Sequence, residues 1–116
     1  MSASEAVAAP TPSPVETVSR FVQPGQIVKV KLTPEQYQSL AVASWETWDK
    51  EVGGFVHDYE IDEDCYFDKG KAICTAEGGE PVTIEVGDFI TFPAGLKVDW
   101  QIVEDVSKHW REYPRL

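Results

Sequence analysis

Short segments in which hydrophobic and polar residues alternate run along most of the chain, with glycine- and proline-containing breaks between them. The first, Ile27–Leu32, places Lys29 and Lys31 on one face, as is typical of a β-strand. Many short strands at this spacing predict an antiparallel sandwich or barrel. The other strand-like segments are residues 71–76, 81–86, 89–92 and 97–103, and turn residues mark the breaks at Gly53-Gly54, Asp68-Lys69-Gly70, Glu77-Gly78-Gly79, Val86-Gly87-Asp88 and Pro93-Ala94-Gly95.

One short helix is predicted after the first strand. Thr33 is a suitable N-cap, Pro34 fits the first helical position, and Gln36 stands three residues after the cap, as in a capping box. The helix is expected to end at about Val42. Apart from this segment, the pattern is that of an all-β protein.

The composition indicates one soluble domain preceded by a tail. The chain has 116 residues, of which 42% are hydrophobic and 26% charged, which is ordinary for a globular domain with a hydrophobic core. Residues 1–20 are rich in Ala, Ser and Pro and lack aromatic residues, so we predict a flexible tail there and a single domain over residues 21–116. The tail does not resemble a secretory signal, and we expect a cytoplasmic protein.

The charge makes some partners unfavourable. The formal net charge is −10, from 20 acidic and 10 basic residues, and such a surface repels nucleic acid and anionic lipid. Five of the seven residues from Asp58 to Asp64 are carboxylates, which we interpret mainly as a solvated face or turn, although such clusters also bind hard cations.

Cys65 and Cys74 lack CxxC spacing and are expected to be reduced, partly buried thiols. No window predicts a membrane span.

Two motifs stand out in the strand-rich region. Glu63 is followed by six residues and then Gly70; later, Gly87 is followed by five residues and then Pro93-Ala94-Gly95. These motifs resemble the two halves of the cupin signature. Over about residues 40–113 the chain is similar to the small single-domain cupins grouped with the ureidoglycine aminohydrolase cupin domain. That resemblance is carried by Trp45, Trp48, Glu63, Cys65-Tyr66, Gly87-Asp88, Phe92-Pro93, Gly95-Leu96, Trp100 and Lys108-His109.

The resemblance implies an all-β fold, the double-stranded β-helix or jelly-roll barrel of the RmlC-like cupin superfamily, with a pocket inside. Gly70 and Gly87 are then motif glycines, Asp88 shapes a turn, and Pro93 and Gly95 set a bend before the next strand. The residues expected to wall the pocket are His57, Tyr59, Glu63, Tyr66, Val98 and Trp100.

The resemblance also locates a metal site that is incomplete. A cupin metal centre takes three neutral imidazoles and one carboxylate, which suit a divalent transition metal such as Mn, Fe, Ni or Zn. In this sequence the carboxylate falls on Glu63, the histidine pair on His57 and Tyr59, and the last histidine on Val98. A continuous strand would put His57, Tyr59 and Glu63 on one face, whereas a turn near residues 60–62 would break that arrangement. At most these three residues remain as ligands, so the site is degenerate.

Three functions are compatible with these residues. The first is a cupin that binds a small polar or planar molecule in its barrel. The second is a metal-dependent C–N hydrolase of the ureidoglycine aminohydrolase type, in which Glu63 and His57 would hold the metal and Tyr59 would bind it or transfer a proton. The third is a homodimeric interaction module, since cupins commonly pair through their sheets. We favour the first, and whether the protein is an enzyme stays open because Val98 and the single domain depart from the enzyme's pattern.

Overall fold

The computed structural model describes residues 25–112, and these residues form seven strands and one short α-helix. The tail predicted over residues 1–20 lies outside them. The helix α1 spans Pro34–Ser39 and is followed by a 3-10 helix, Val42–Ser44. The strands are β1 (Val28–Lys31), β2 (Glu46–Lys50), β3 (Gly53–Asp58), β4 (Glu63–Ala76), β5 (Pro81–Glu85), β6 (Asp88–Phe92) and β7 (Lys97–Glu112).

All strand pairs are antiparallel, and the two long strands β4 and β7 organise the sheet. They pair along nearly their whole length, from Glu63 opposite Glu112 to Ala76 opposite Val98. The strand order is β1-β6-β4-β7-β2, with β3 added beside the first half of β7 and β5 beside the second half of β4. The all-β fold predicted from the sequence is confirmed.

The main core is formed by side chains from one face of β4, β5, β6 and β7. Along β4, Cys65 and Phe67 point into it, and after an irregular stretch Ala72, Cys74 and Ala76 do so. The change from odd to even positions requires an extra residue in the strand, because side chains alternate strictly between faces in a regular strand. The buried members of this core are Tyr59, Cys65, Phe67, Ala72, Cys74, Ala76, Ile84, Ile90, Phe92, Leu96, Val98, Trp100, Ile102 and Val106.

The helix packs on the opposite face of the sheet. Thr33 accepts the Gln36 backbone N–H and Gln36 accepts the Thr33 backbone N–H, so the predicted capping box is present. The helix ends at Ser39 rather than near Val42, because Ala41 adopts a left-handed backbone with φ of 53°. Its last turn leads into a smaller apolar cluster whose buried members are Leu40, Val42 and Phe89.

The sequence placed a turn at Asp68-Lys69-Gly70, and this prediction is wrong. These residues lie inside β4, where the pairing with β7 shifts register between Phe67 and Ala72. Gly70 has φ of +87°, and a Cβ atom at this position would overlap the carbonyl oxygen of Asp105 on β7. The glycine therefore permits a bulge, and the strand continues beyond it. In the sequence, a glycine that permits a bulge looks the same as a glycine in a turn.

The other predicted boundaries differ less. The break expected at Gly53-Gly54 lies two residues earlier, since β2 ends at Lys50 and β3 begins at Gly53. The last predicted strand, residues 97–103, continues to Glu112 as β7. The turns between β4 and β5, between β5 and β6, and between β6 and β7 lie where glycine and proline indicated them.

Asp88 begins β6 and is almost fully buried despite its charge. Its Oδ2 atom accepts the backbone N–H of Glu85 at 2.7 Å, across the β5–β6 turn that contains Gly87. Lys31 Nζ lies 2.9 Å from the other carboxylate oxygen, so β1 supplies the compensating charge. The alternation that puts Lys29 and Lys31 on one face of β1 thus brings both lysines toward this carboxylate.

None of the helices within residues 25–112 is long and apolar enough to cross a membrane.

Substituting Gly70 by alanine is expected to destabilise the protein by roughly 3 kcal/mol or more, because the new methyl group overlaps β7 backbone as well as disfavouring the positive φ. Gly78→Ala is the matched control: its φ is +79°, and a Cβ atom there meets nothing within 4 Å. The control should lose only about 1 kcal/mol. Urea unfolding measures both variants, and equal losses would contradict the close approach of β4 and β7.

Candidate functional site

A cavity of about 240 Å³ lies on the core side of β7, between β2, β3 and the start of β4. Strand β7 supplies four of its side chains, and the chain between β3 and β4 supplies Tyr59. The walls are mostly aromatic, with two carboxylates, one imidazole and one ammonium group among them. The lining residues are Trp48, Phe55, His57, Tyr59, Glu63, Trp100, Lys108, Trp110 and Glu112.

A larger groove of about 780 Å³ lies at the β2–β3 turn, between residues 49–54, Lys69 and residues 105–107. Its lining contains no aromatic side chain, histidine or cysteine. Binding sites for small molecules are usually apolar clefts with a few convergent polar groups. The smaller aromatic cavity is therefore the candidate site.

The side chain of Lys108 lies inside this cavity although it carries a charge. It is 7% exposed, and its Nζ atom lies 3.3 Å from Glu63 Oε2 and 3.3 Å from Cys65 Sγ. The same nitrogen lies 4.8 Å from the ring centroids of both Trp48 and Trp100, within the range of a cation–π interaction. A carboxylate, a sulfur and two aromatic rings therefore surround the ammonium group.

Lys108 is an ammonium and Cys65 a thiol at neutral pH. Burial lowers the pKa of Lys108, whereas the Glu63 carboxylate, whose Oε2 atom lies 3.3 Å from the lysine Nζ atom, raises it and keeps the side chain charged. Burial is the main reason that the pKa of Cys65 is raised well above its usual range. The Cys65 thiol donates to Glu63 Oε2 at 3.1 Å. The cavity thus holds a fixed positive charge and no thiolate nucleophile.

The aromatic wall is built around Trp100. Phe55 stacks on it at 5.6 Å between centroids and 14° between planes, and Phe67 stacks at 6.1 Å and 15°. Trp48 meets both Phe55 and Trp100 edge to face. Such pairs add to the stability gained from burial and restrict the motion of each ring. The wall is therefore preformed.

Tyr59 joins the wall to the turn between β6 and β7. Its hydroxyl accepts the Trp100 Nε1–H at 3.1 Å, and its ring stacks on Phe92 at 4.6 Å. Its backbone N–H donates to the Leu96 carbonyl, and its own carbonyl accepts the Gly95 N–H. Desolvation raises the pKa of the Tyr59 hydroxyl far above its ordinary value, so the group stays protonated.

The continuous strand considered for His57, Tyr59 and Glu63 is not formed, because β3 ends at Asp58 and β4 begins at Glu63. All three residues nevertheless line the cavity. His57 is exposed, and its ring meets that of Tyr59 edge to face at 4.4 Å. Asp62 helps to hold the intervening turn, since its Oδ1 atom accepts the Ala94 N–H at 2.7 Å.

Four of the six residues predicted to wall the pocket line the cavity, namely His57, Tyr59, Glu63 and Trp100. Tyr66 lies on the other face of β4, where its ring meets that of Tyr37 at 5.0 Å. Its position is one residue away from the inward-facing Cys65 and Phe67, so alternation turns it outward. Val98 is fully buried in the main core and is not part of the lining.

The donor atoms of the cavity fit a divalent metal poorly. Glu63 Oε2 already faces the Lys108 ammonium, which would repel a metal cation. Tyr59 would have to lose a proton that burial makes it retain, and Val98 offers no donor atom. Across residues 25–112, no group of three or more His, Cys, Asp or Glu side chains is placed to hold a metal ion.

Five of the nine lining residues were not among those expected to wall the pocket: Trp48, Phe55, Lys108, Trp110 and Glu112. One signal was present. Trp100, Ile102, Val106 and Lys108 are all at even positions, and period-two alternation would have put a lysine on the apolar face of a strand. A charged residue in such a position is a candidate for a functional role because its burial requires compensation.

The antiparallel sheet with an aromatic cavity on its core side agrees with the cupin architecture that the sequence motifs imply. The family model for the EutQ-like cupin domain matches residues 37–110, and the chain belongs to this family. The narrower resemblance to the ureidoglycine aminohydrolase cupins stays a prediction.

Solved structures agree with this assignment. A DUF861 family protein from Thermotoga maritima has a TM-score of 0.74 and 40% identity, over 76% of this chain and 100% of that one. The putative ethanolamine utilization protein Q of Salmonella typhimurium has a TM-score of 0.54 and 20% identity, over 78% of this chain and 71% of that one. The EutQ protein of Clostridium difficile has a TM-score of 0.55 and 18% identity, over 76% and 68%. The latter two support the fold alone. No curated protein matches the chain.

Above about pH 9 the free energy of unfolding is expected to fall as the pH rises. Burial raises the pKa values of Tyr59, Cys65 and Cys74, so these groups keep their protons when folded and lose them when unfolded. Their contribution is complete below the unfolded pKa values, about 8.5 for Cys and 10 for Tyr, and is lost above them. Each group reduces stability by up to about 1.4 kcal/mol per pH unit.

Tyr59→Phe keeps the ring and removes the titrating hydroxyl. We would measure the unfolding free energy of both proteins by urea unfolding between pH 10 and 11.5. Its slope against pH should be shallower in Tyr59→Phe than in the wild type by about 1.4 kcal/mol per pH unit, which corresponds to one proton fewer released on unfolding. The slopes should agree at pH 7–8, where no buried tyrosine titrates in either state. Identical slopes at high pH would show that Tyr59 is not buried as described.

Proposed function

We propose that this cupin binds a small, planar, polar molecule in the aromatic cavity next to Lys108. The proposal is supported chiefly by one observation, the buried ammonium held between the Trp48 and Trp100 rings on the core side of the sheet. Aromatic walls favour a planar ligand, and the few charged groups orient it. The cavity, about 240 Å³, lies below the range of roughly 300–1,000 Å³ that is usual for drug-sized ligands. A compact metabolite-sized molecule suits this volume.

The degenerate metal site predicted from the sequence is part of this proposal. We infer that the cavity acts without a tightly bound metal, because its one well-placed carboxylate, Glu63, is paired with Lys108. A hydrolase of the ureidoglycine aminohydrolase type ranks second for the same reason, since its chemistry needs a metal to hold the substrate. The homodimer stays a prediction, as does the cytoplasmic location.

Ligand binding is expected to depend on the aromatic wall. We would screen small amides, ureas, carboxylates and heteroaromatic compounds by thermal shift and measure the affinity of the hits by calorimetry. Trp48→Ala should weaken each hit by about tenfold, the loss of one stacked ring. Trp45→Ala is the matched control, because Trp45 packs against Phe89 and the smaller cluster instead. Hits that are unaffected by Trp48→Ala would place the ligand elsewhere, and an absence of hits would contradict the binding function.

Metal content separates the two leading functions. Protein purified without chelators or a polyhistidine tag should contain well below one Mn, Fe, Ni or Zn per chain by plasma mass spectrometry. Glu63→Ala should not change that value. Near-stoichiometric metal in the wild type that is lost in Glu63→Ala would favour the hydrolase and overturn the metal-free proposal.

A further inference from the structure

We propose that the Lys108 ammonium takes the place of the metal cation in this cavity and binds the carbonyl oxygen of a neutral carboxamide whose N–H group donates to a cavity carboxylate. This inference rests on the proposed function and adds a ligand class and an anchoring residue to it. The position of Lys108 supports the replacement of a metal cation by an ammonium group. Lys108 Nζ contacts Glu63, the residue that matches the metal-binding carboxylate of the cupin signature. The cation beside that carboxylate is therefore part of the chain.

An ammonium can do part of what a metal does for a carbonyl group. It has three N–H donors, and within residues 25–112 two acceptors lie within hydrogen-bond distance, Glu63 Oε2 and Cys65 Sγ. The third N–H has no oxygen or sulfur acceptor among these residues, and because Lys108 lines the cavity, a ligand oxygen can supply one in place of the weaker contact with the tryptophan rings. Because the Lys108 side chain is nearly buried, its positive donor stabilises a polarised carbonyl more strongly than it would in solvent.

A purely structural role explains the lysine less well. A buried ion pair is often no more stabilising than well-packed apolar side chains of similar volume. The neighbouring inward positions on β7, Trp100, Val106 and Trp110, are apolar, and an apolar residue at position 108 would fit the same face. Here a charge is instead placed against a cavity wall, with compensating groups on β4.

The surroundings of Lys108 favour non-covalent binding. Its Nζ atom is held by the Glu63 carboxylate and lies between the rings of Trp48 and Trp100, an arrangement that stabilises a cation. The Cys65 side chain is fully buried. Lys108 therefore acts as a hydrogen-bond donor and a fixed charge, and binding involves no bond exchange.

The charges around the cavity select a neutral ligand. The cavity lining contains one ammonium, Lys108, and two carboxylates, Glu63 and Glu112, of which Glu63 is paired with the lysine. An anionic ligand would meet the excess negative charge, and a cationic ligand would meet the buried ammonium at the aromatic wall. A carboxamide presents an acceptor for Lys108 and donors for a carboxylate in one planar group, and its neutrality avoids both repulsions.

Three compounds of nearly the same shape test this selection. Benzamide is neutral with a donor and an acceptor, benzoate is an anion with acceptors alone, and benzamidinium is a cation with donors alone. Calorimetry on the full chain at pH 7 should find benzamide the tightest, with each charged analogue at least about tenfold weaker. A preference for benzoate or benzamidinium would overturn the inference while leaving a binding cavity, whereas failure of all three and of the wider screen would remove the proposed function itself.

Lys108→Met tests the anchor, since it removes the charge and leaves an unbranched side chain that is one atom shorter. Benzamide affinity should fall by about tenfold to a hundredfold, the loss of one charge-assisted hydrogen bond. Lys71→Met is the matched control, because Lys71 pairs with Glu85 on the β4–β5 hairpin, outside the cavity. Equal affinities of wild type and Lys108→Met would overturn the anchoring role.

A second measurement keeps the test valid should Lys108→Met not fold. Nitrogen NMR of the wild type detects a buried ammonium through its slow hydrogen exchange. Benzamide should shift that resonance and leave the exposed lysine resonances unchanged. Binding of benzamide without any shift of the buried ammonium would overturn the inference.

Discussion

The pairing of β4 with β7 is the constraint on which the rest of this structure depends. Strands β2 and β3 join the sheet through β7, β5 and β6 join it through β4, and β1 is attached through β6. Two strands of 14 and 16 residues can stay paired only if both follow the curvature of the sheet. The bulge between Phe67 and Ala72 allows this, and Gly70 lets the two backbones approach there. The same pairing sets which β4 side chains face which β7 side chains.

The site is a consequence of that register. Phe67 lies opposite Lys108 and Cys65 lies opposite Trp110, so the long lysine side chain reaches along the inner face to Cys65 and Glu63. Burial of one charge is tolerated because a carboxylate pairs with it and two tryptophan rings contact it. The aromatic residues thus contribute to the core and compensate the charge. The carboxylate of the first cupin motif, Glu63, is therefore paired with a cation that belongs to the chain itself.

The predictions from sequence were most accurate where a signal depends on neighbouring residues. The capping box at Thr33 and Gln36 and the turns with Gly78 and Pro93 follow from local backbone chemistry, and the structure has them. The bulge at Gly70 was mistaken for a turn, because a positive φ in mid-strand requires the same residue as a turn does. Tyr66 was assigned to the pocket although it alternates with the inward-facing Cys65, which the pattern alone would have shown.

The sequence by itself determined that the domain is all-β, where three of the seven strands (β1, β5 and β6) begin and end, and which residues carry the cupin motifs. These properties depend on alternation and turn chemistry, which act within a few residues. The tertiary structure alone decided that Lys108 meets Glu63 across 45 positions and that Tyr59 bonds Trp100 across 41. The cation in the cavity exists because the register of β4 and β7 brings together residues that no local pattern relates.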